Sequence, residues 1–261
     1  RNRFTHDYGD IYETVSRDDG VTWSDPAPVP SLRRVETADG YEVAPSDVWT
    51  QWHPKTGMII GAGVSFHFEG GRHEHQLRRQ VAYGVMDPTT GSWGLLQALE
   101  LPERDQDDML MLAPSAGCSQ RVDLPDGDVL LPVSYLPSAT LDKNVNTFDY
   151  SGAVLLNSVV ARCGFDGERL TYKEHGTKHS ITSDHSSRLA ERREVEFSAR
   201  GLAEPSLVAF EGAFFLTLRS DHSAFVTKGQ DGINFAEVRE WTFDDGEILG
   251  SYCTQQHWAT I

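Results

Sequence analysis

Glu204 and Arg219 flank the turn signal Glu211-Gly212 in the segment Glu204 to Arg219 (EPSLVAFEGAFFLTLR), whose apolar runs read as two strands. A two-residue hairpin fixes its cross-strand partners, so the carboxylate at 204 is expected opposite the guanidinium at 219, at the open end of the hairpin. Such a pair is either a plain cross-strand ion pair or the working end of a site. Arg is the side chain that gives bidentate, charge-assisted bonds to a planar carboxylate, and Glu is a ready proton acceptor. A second arginine, Arg121 in Gln120-Arg121-Val122, precedes the turn Asp126-Gly127 (SQRVDLPDGDVLLPVS, Ser119 to Ser134). Treating that turn as a two-residue hairpin pairs Ser119 with Ser134 and Cys118 with Tyr135, and puts Arg121 opposite Pro132. Arg121 and Glu204 are then expected near one rim of neighbouring units, with Gln120 and Tyr135 as further contacts. His67 is a candidate base, and Tyr150 lies in a long polar insertion. His73-Glu74-His75 lacks a third ligand, so neither a metal nor a cofactor is expected.

These residues need strands to carry them. Gly 23, Pro 12 and 10% aromatic residues suit many short strands with tight turns. Helical composition is confined to Ser186 to Ser198, so an all-β domain is expected. Three segments read as strand, turn, strand: Val48 to Val64, Ser119 to Ser134 and Glu204 to Arg219, with turns at Thr56-Gly57, Asp126-Gly127 and Glu211-Gly212. Each is followed by a second pair joined by an Asp- or Gly-rich connection, Asp87 to Trp93, Phe165 to Leu170 and Gly229 to Phe235. Four antiparallel strands recurring in this way predict a β-propeller. Alternating strand direction puts the tight turns on one face and the long polar insertions on the other, where a binding mouth is expected.

The segment Ser16 to Trp23 (SRDDGVTW) matches S-x-D-x-G-x-T-W at each fixed position. Local physics explains the pattern: Asp18 accepts turn N–H groups, Gly20 takes a positive φ, and Trp23 is expected to pack between sheets. This box resembles the Asp-box (BNR) repeat of the sialidase, or neuraminidase, superfamily. The resemblance implies a sialidase-type β-propeller of six or seven four-stranded blades in the full chain. Residues 1–261 are expected to form a single propeller domain, incomplete at one or both ends. It also implies a structural Asp18 and a secreted or periplasmic location.

In that family three Arg clamp a substrate carboxylate, a Tyr attacks the anomeric carbon, a Glu draws the Tyr proton, and an Asp serves as acid and base. Glu204 resembles the proton-accepting Glu, Arg219 the Arg that follows it, and Arg121 the Arg of an earlier blade. By loop position Asp47, Asp7 and Asp149 are candidates for the acid. The implied nucleophilic Tyr and third Arg are not found within the sequence, for which Tyr252 is a poor substitute.

Charge narrows the partners. With 23 Lys plus Arg against 39 Asp plus Glu, the net charge is −16, and nucleic acid or an anionic membrane surface is not expected. No apolar run approaches the ~20 residues of a membrane span. Cys118, Cys163 and Cys253 are odd in number and widely spaced, so free thiols are expected. The expected function is an exo-glycosidase that removes a terminal acidic sugar, with a carboxylate-bearing carbohydrate as partner. Elimination from a uronate polysaccharide is the alternative, with His67, Tyr135 or Tyr150 as base. A non-catalytic glycan-binding propeller is the third reading.

Overall fold

A computed structural model describes residues 9–68, 79–138, 155–182, 201–220, 223–249 and 255–259. Among these residues there is one 3-10 turn, Pro30–Leu32, and no α-helix; no helix is long and apolar enough to cross a membrane. The chain opens with the pair β1 (Tyr12–Glu13) and β2 (Ala27–Pro28). A first blade follows from β3 (Val35–Glu36), β4 (Glu42–His53), β5 (Met58–Phe68), β6 (Gln80–Asp87) and β7 (Ser92–Trp93), with β8 (Gln97–Ala98) also on β6. The second has an inner strand in two pieces, β9 (Leu110–Ser115) and β10 (Val122–Asp123), then β11 (Val129–Ser138), β12 (Asn157–Phe165) and β13 (Leu170–His175). The third is β14 (Ala203–Phe210), β15 (Ala213–Arg219), β16 (Ala224–Gly229) and β17 (Arg239–Glu240).

The middle blade is covered on both faces, so its strand β11 is buried from Val129 to Leu136 instead of alternating with exposed residues. On β11, Val129, Leu131, Val133 and Tyr135 join Ile60, Ala62, Val81 and Tyr83 of the first blade in one core. Leu130, from the opposite face of the same strand, packs with Leu207, Leu216, Leu218 and Phe225 of the third blade. The period of two thus lets one strand fill two inter-blade layers.

The outer connections repeat one turn. Asp87 accepts from the Thr89 N–H (2.8 Å), Asp166 from Glu168 and Arg169 (2.9 and 2.7 Å), and Asp231 from Ile233 and Asn234 (3.0 and 2.7 Å). In the turn between β1 and β2, Asp18 accepts from the Thr22 N–H and hydroxyl (2.9 and 2.6 Å), and Gly20 has φ +86°. Those bonds hold the Asp18 carboxyl below the usual carboxylate range. Trp23 departs from expectation. It is 61% exposed and donates from Nε1 to the Gly20 carbonyl (3.1 Å) instead of packing between sheets.

Two of the three hairpins also differ from expectation. His53 pairs with Met58, so the first loop holds Pro54 to Gly57. Asp123 pairs with Val129, and the Gly127 N–H bonds the Leu124 carbonyl (2.9 Å), so the second is longer by a residue than Asp126-Gly127 alone implied. Ser134 faces Ser115, not Ser119, because the inner strand is broken between Ser115 and Val122, and a bulge between Ser134 and Leu136 leaves Tyr135 without the expected partner Cys118 in that ladder. The third hairpin keeps the expected register from Phe210–Ala213 back to Ser206–Thr217.

Candidate functional site

Each of the three inner strands is interrupted at one level by a residue in the left-handed region: Asp47 (φ +53°), Cys118 (φ +56°) and Glu204 (φ +44°). Non-glycine residues pay for that conformation, and such strain collects at sites. In β4 the register slips between Ser46–Val64 and Trp49–Ala62, which leaves Asp47 and Val48 facing Gly63. A Cβ on Gly63 would stand 2.5 Å from the Ser46 carbonyl, so glycine is what makes room for the bulge. In β14 the slip lies between Ala203–Arg219 and Ser206–Thr217. Pro205, which has no N–H to lose from the ladder, occupies that bulge. In the second blade the break between β9 and β10 carries Cys118. Bulges re-aim side chains, and these three gather two carboxylates and a thiol.

Neighbouring blades are tied there by main chain. The Cys118 N–H donates to the Asp47 carbonyl (3.0 Å), and the Leu207 N–H to the Gln120 carbonyl (2.9 Å). Arg219, 12% exposed at its side chain, ion-pairs through Nη1 with Glu204 Oε1. The other Glu204 oxygen, Oε2, is buried with no hydrogen-bond partner among the described residues. The Cys118 thiol is pushed up to about 12, first by burial, then by the Asp47 and Glu204 carboxylates, with Arg219 opposing. The four groups therefore share one electrostatic neighbourhood.

The segment 255–259 crosses two residues further along the same inner strands, at Trp49, Gln120 and Ser206. His257 lies against the Trp49 ring (centroids 4.1 Å apart) and bonds through Nε2 to the Cys118 carbonyl (2.9 Å). Because a carbonyl only accepts, that nitrogen carries the proton. Trp258 donates from Nε1 to the Ser206 carbonyl (3.3 Å).

Other sequence candidates fall elsewhere. Arg121 is 2% exposed. It ion-pairs with Asp123 (2.9 Å) and donates to the Ile60 and Gln51 carbonyls (2.7 and 2.8 Å), so it bolts the second blade to the first and does not face the Glu204 rim. The expectation failed because Asp123, two residues along, captures the guanidinium inward. Gln120 uses its amide as a surrogate peptide, accepting from the Trp258 N–H (2.8 Å) and donating to the Trp258 carbonyl (3.1 Å). It is occupied in pinning that segment, not in contacting a ligand. Tyr135 is fully buried with its hydroxyl on Asp105 Oδ2 (2.6 Å), and burial with that carboxylate pushes its pKa up. It cannot reach a substrate. His67 lines a cavity of about 800 Å³ between the first two blades, with Arg79, Glu100 and Glu103, to which Asp47, Glu204 and Arg219 do not contribute. Tyr150, Asp7, Asp149, Tyr252, Cys253, Ser186 to Ser198 and His73-Glu74-His75 lie outside the described residues. Cys118 and Cys163 are free thiols. No group of three or more potential metal ligands occurs among the described residues.

Cys118, Trp49 and His257 were missed by sequence reasoning. The signal available was modest: Cys118 follows Gly117, and His257-Trp258 follow a polar Gln255-Gln256 pair, but nothing local announces a positive φ.

Three antiparallel sheets of six, five and four strands form an all-β propeller-type architecture with a sialidase-like fold. The chain is similar to Trypanosoma rangeli sialidase solved with 2,3-difluorosialic acid as a covalent intermediate. That match has a TM-score of 0.60 at 14% identity and covers 98% of this chain and 37% of that one. It is similar also to a Hadza microbial sialidase (TM-score 0.51, 15% identity, 87% and 40% covered) and to a protein of unknown function from Dyadobacter fermentans (TM-score 0.55, 13% identity, 88% and 58% covered). The chain thus spans well under half the length of these sialidases. No family model and no curated protein matches the sequence.

Proposed function

We propose that the protein is a sialidase-like exo-glycosidase that hydrolyses a terminal acidic sugar from a glycan. The observation that carries this reading is the Glu204–Arg219 pair at the end of the third blade, at the level where a bulge brings Asp47 from the first. Arg219 supplies a planar cation for the sugar carboxylate. Glu204, ion-paired with that cation, accepts the proton of an attacking hydroxyl. Asp47 supplies the proton to the leaving glycosidic oxygen. Glycosidases of this type depart from the two-carboxylate rule by using a tyrosine nucleophile. The turn at Ser16–Trp23, read as an Asp-box, and the sialidase neighbours support the same assignment.

Incubation with a sialylated glycan, followed by mass spectrometry, tests it. The expected product is the free saturated acidic sugar. An unsaturated uronate product would replace hydrolysis with elimination, for which buried Tyr135 is no longer a base. Glycan retention without any product would make the propeller a binding module.

A further inference from the structure

We infer that Cys118 is a positioning residue, whose neutral thiol and backbone N–H hold the carboxyl-bearing residue Asp47 in place across the first two blades. This rests on the reading of Asp47 as the acid of the site. Three observations of different kinds converge on it. The Cys118 N–H donates to the Asp47 carbonyl (3.0 Å), which fixes the backbone of one bulge against the other. The Cys118 thiol sits close enough to the Asp47 carboxylate for that charge to push its pKa up. The preceding residue is glycine at the point of closest approach: a Cβ on Gly117 would stand 3.0 Å from Asp47 Cβ and 3.3 Å from Oδ2. Gly117 and Cys118 thus form a cradle shaped to the Asp47 side chain.

The polarity of this contact follows from the charges. Thiol pKa values rise where a thiolate would be desolvated beside carboxylates, and here burial with Asp47 and Glu204 keeps the proton on sulfur. An S–H that stays protonated donates to the carboxylate and favours its ionised form. Cys118 is therefore no nucleophile. It makes Asp47 the stronger acid and keeps its rotamer fixed, which limits how far the carboxyl can swing.

The test uses the purified protein and three substitutions, and it reads Asp47 directly by carboxyl ¹³C NMR as well as through turnover of an aryl sialoside. Cys118→Ala should raise the Asp47 pKa and lower kcat about tenfold with little change in KM, and it should shift the Asp47-dependent limb of the pH–rate profile upward. Cys118→Ser, which restores a donor, should return both towards wild type. Asp47→Asn should lower the Cys118 pKa and speed its alkylation by iodoacetamide at pH 9 about tenfold; this reading does not depend on Cys118→Ala folding. An Asp47 titration unchanged in Cys118→Ala, or an alkylation rate unchanged in Asp47→Asn, overturns the assignment. Absence of sialoside turnover in the wild-type protein would remove the glycosidase reading instead, with the NMR and alkylation arms still deciding the Cys118–Asp47 coupling.

Discussion

Arg219 is paired in register with Ala203, yet its guanidinium bonds the carboxylate of Glu204, the neighbour that a bulge turns out of the ladder. The ion pair is thus made by a strained backbone and not by the regular hairpin geometry. Glu204 has φ +44° and is followed by Pro205, so the chain cannot relax into a continuous strand there without giving up the bulge. Strain retained beside a charge pair is the arrangement expected of a site.

Removing one partner should show how closely the pair is coupled. Glu204→Ala leaves the largely buried Arg219 cation without its carboxylate, and a loss of about 3 kcal/mol in urea unfolding is expected. The double variant Glu204→Ala with Arg219→Met should recover much of that loss. Strict additivity of the two single changes would contradict the coupling.

The bulge at Asp47 depends on the strand beside it. Gly63→Ala puts a Cβ 2.5 Å from the Ser46 carbonyl, so either β5 moves or the bulge flattens. The expected cost is about 2 kcal/mol, as for overpacking a filled core. Activity should fall with it, since Asp47 would be re-aimed. A crystal structure of the variant with Asp47 still at positive φ would disprove this dependence.

Arg121 should matter for folding alone. Arg121→Met would leave Asp123, 3% exposed at its side chain, as an uncompensated buried charge, and should lower stability by about 3–5 kcal/mol. Turnover per folded molecule, measured well below the melting transition, should remain within a factor of about two, corresponding to under 0.5 kcal/mol. A large drop there would return Arg121 to the site.

A pH dependence follows from His179. It is 3% exposed, and burial lowers its pKa from 6.5 to about 4. Between those values the unfolded chain binds a proton that the folded one refuses, so stability rises with pH across this window. The contribution is complete above pH 6.5, is lost as the pH falls towards 4, and amounts to about 3 kcal/mol. His175, also lowered by burial, adds to the slope. Urea midpoints between pH 4 and 7 should show a shallower slope for His179→Leu than for wild type; an identical slope would exclude His179 as a contributor.

Much of the fold was legible because it rests on local rules. Gly57, Gly127 and Gly212 all adopt positive φ at the hairpin turns. Asp18, Asp87, Asp166 and Asp231 all bond turn N–H groups. The contact between Glu204 and Arg219 was anticipated from the same hairpin arithmetic, although Arg219 pairs in register with Ala203 and the expected register ends at Ser206. Arg121, Gln120 and Tyr135 were misplaced for a shared reason. Their partners, the Gln51 and Ile60 carbonyls, Trp258 and Asp105, are distant in sequence, and no strand pattern reveals which buried acceptor will claim a polar side chain. Cys118 was read only as a free thiol because its place beside Asp47 comes from a strand break on one blade meeting a bulge on the next.

The most direct test is kcat/KM on an aryl sialoside for wild type and for Glu204→Gln, which keeps the size of the side chain but cannot accept a proton. The site described here predicts measurable turnover by the wild-type protein and a fall of at least about 10²-fold in the variant, with the fold intact by circular dichroism. Equal kcat/KM for the two proteins would contradict it.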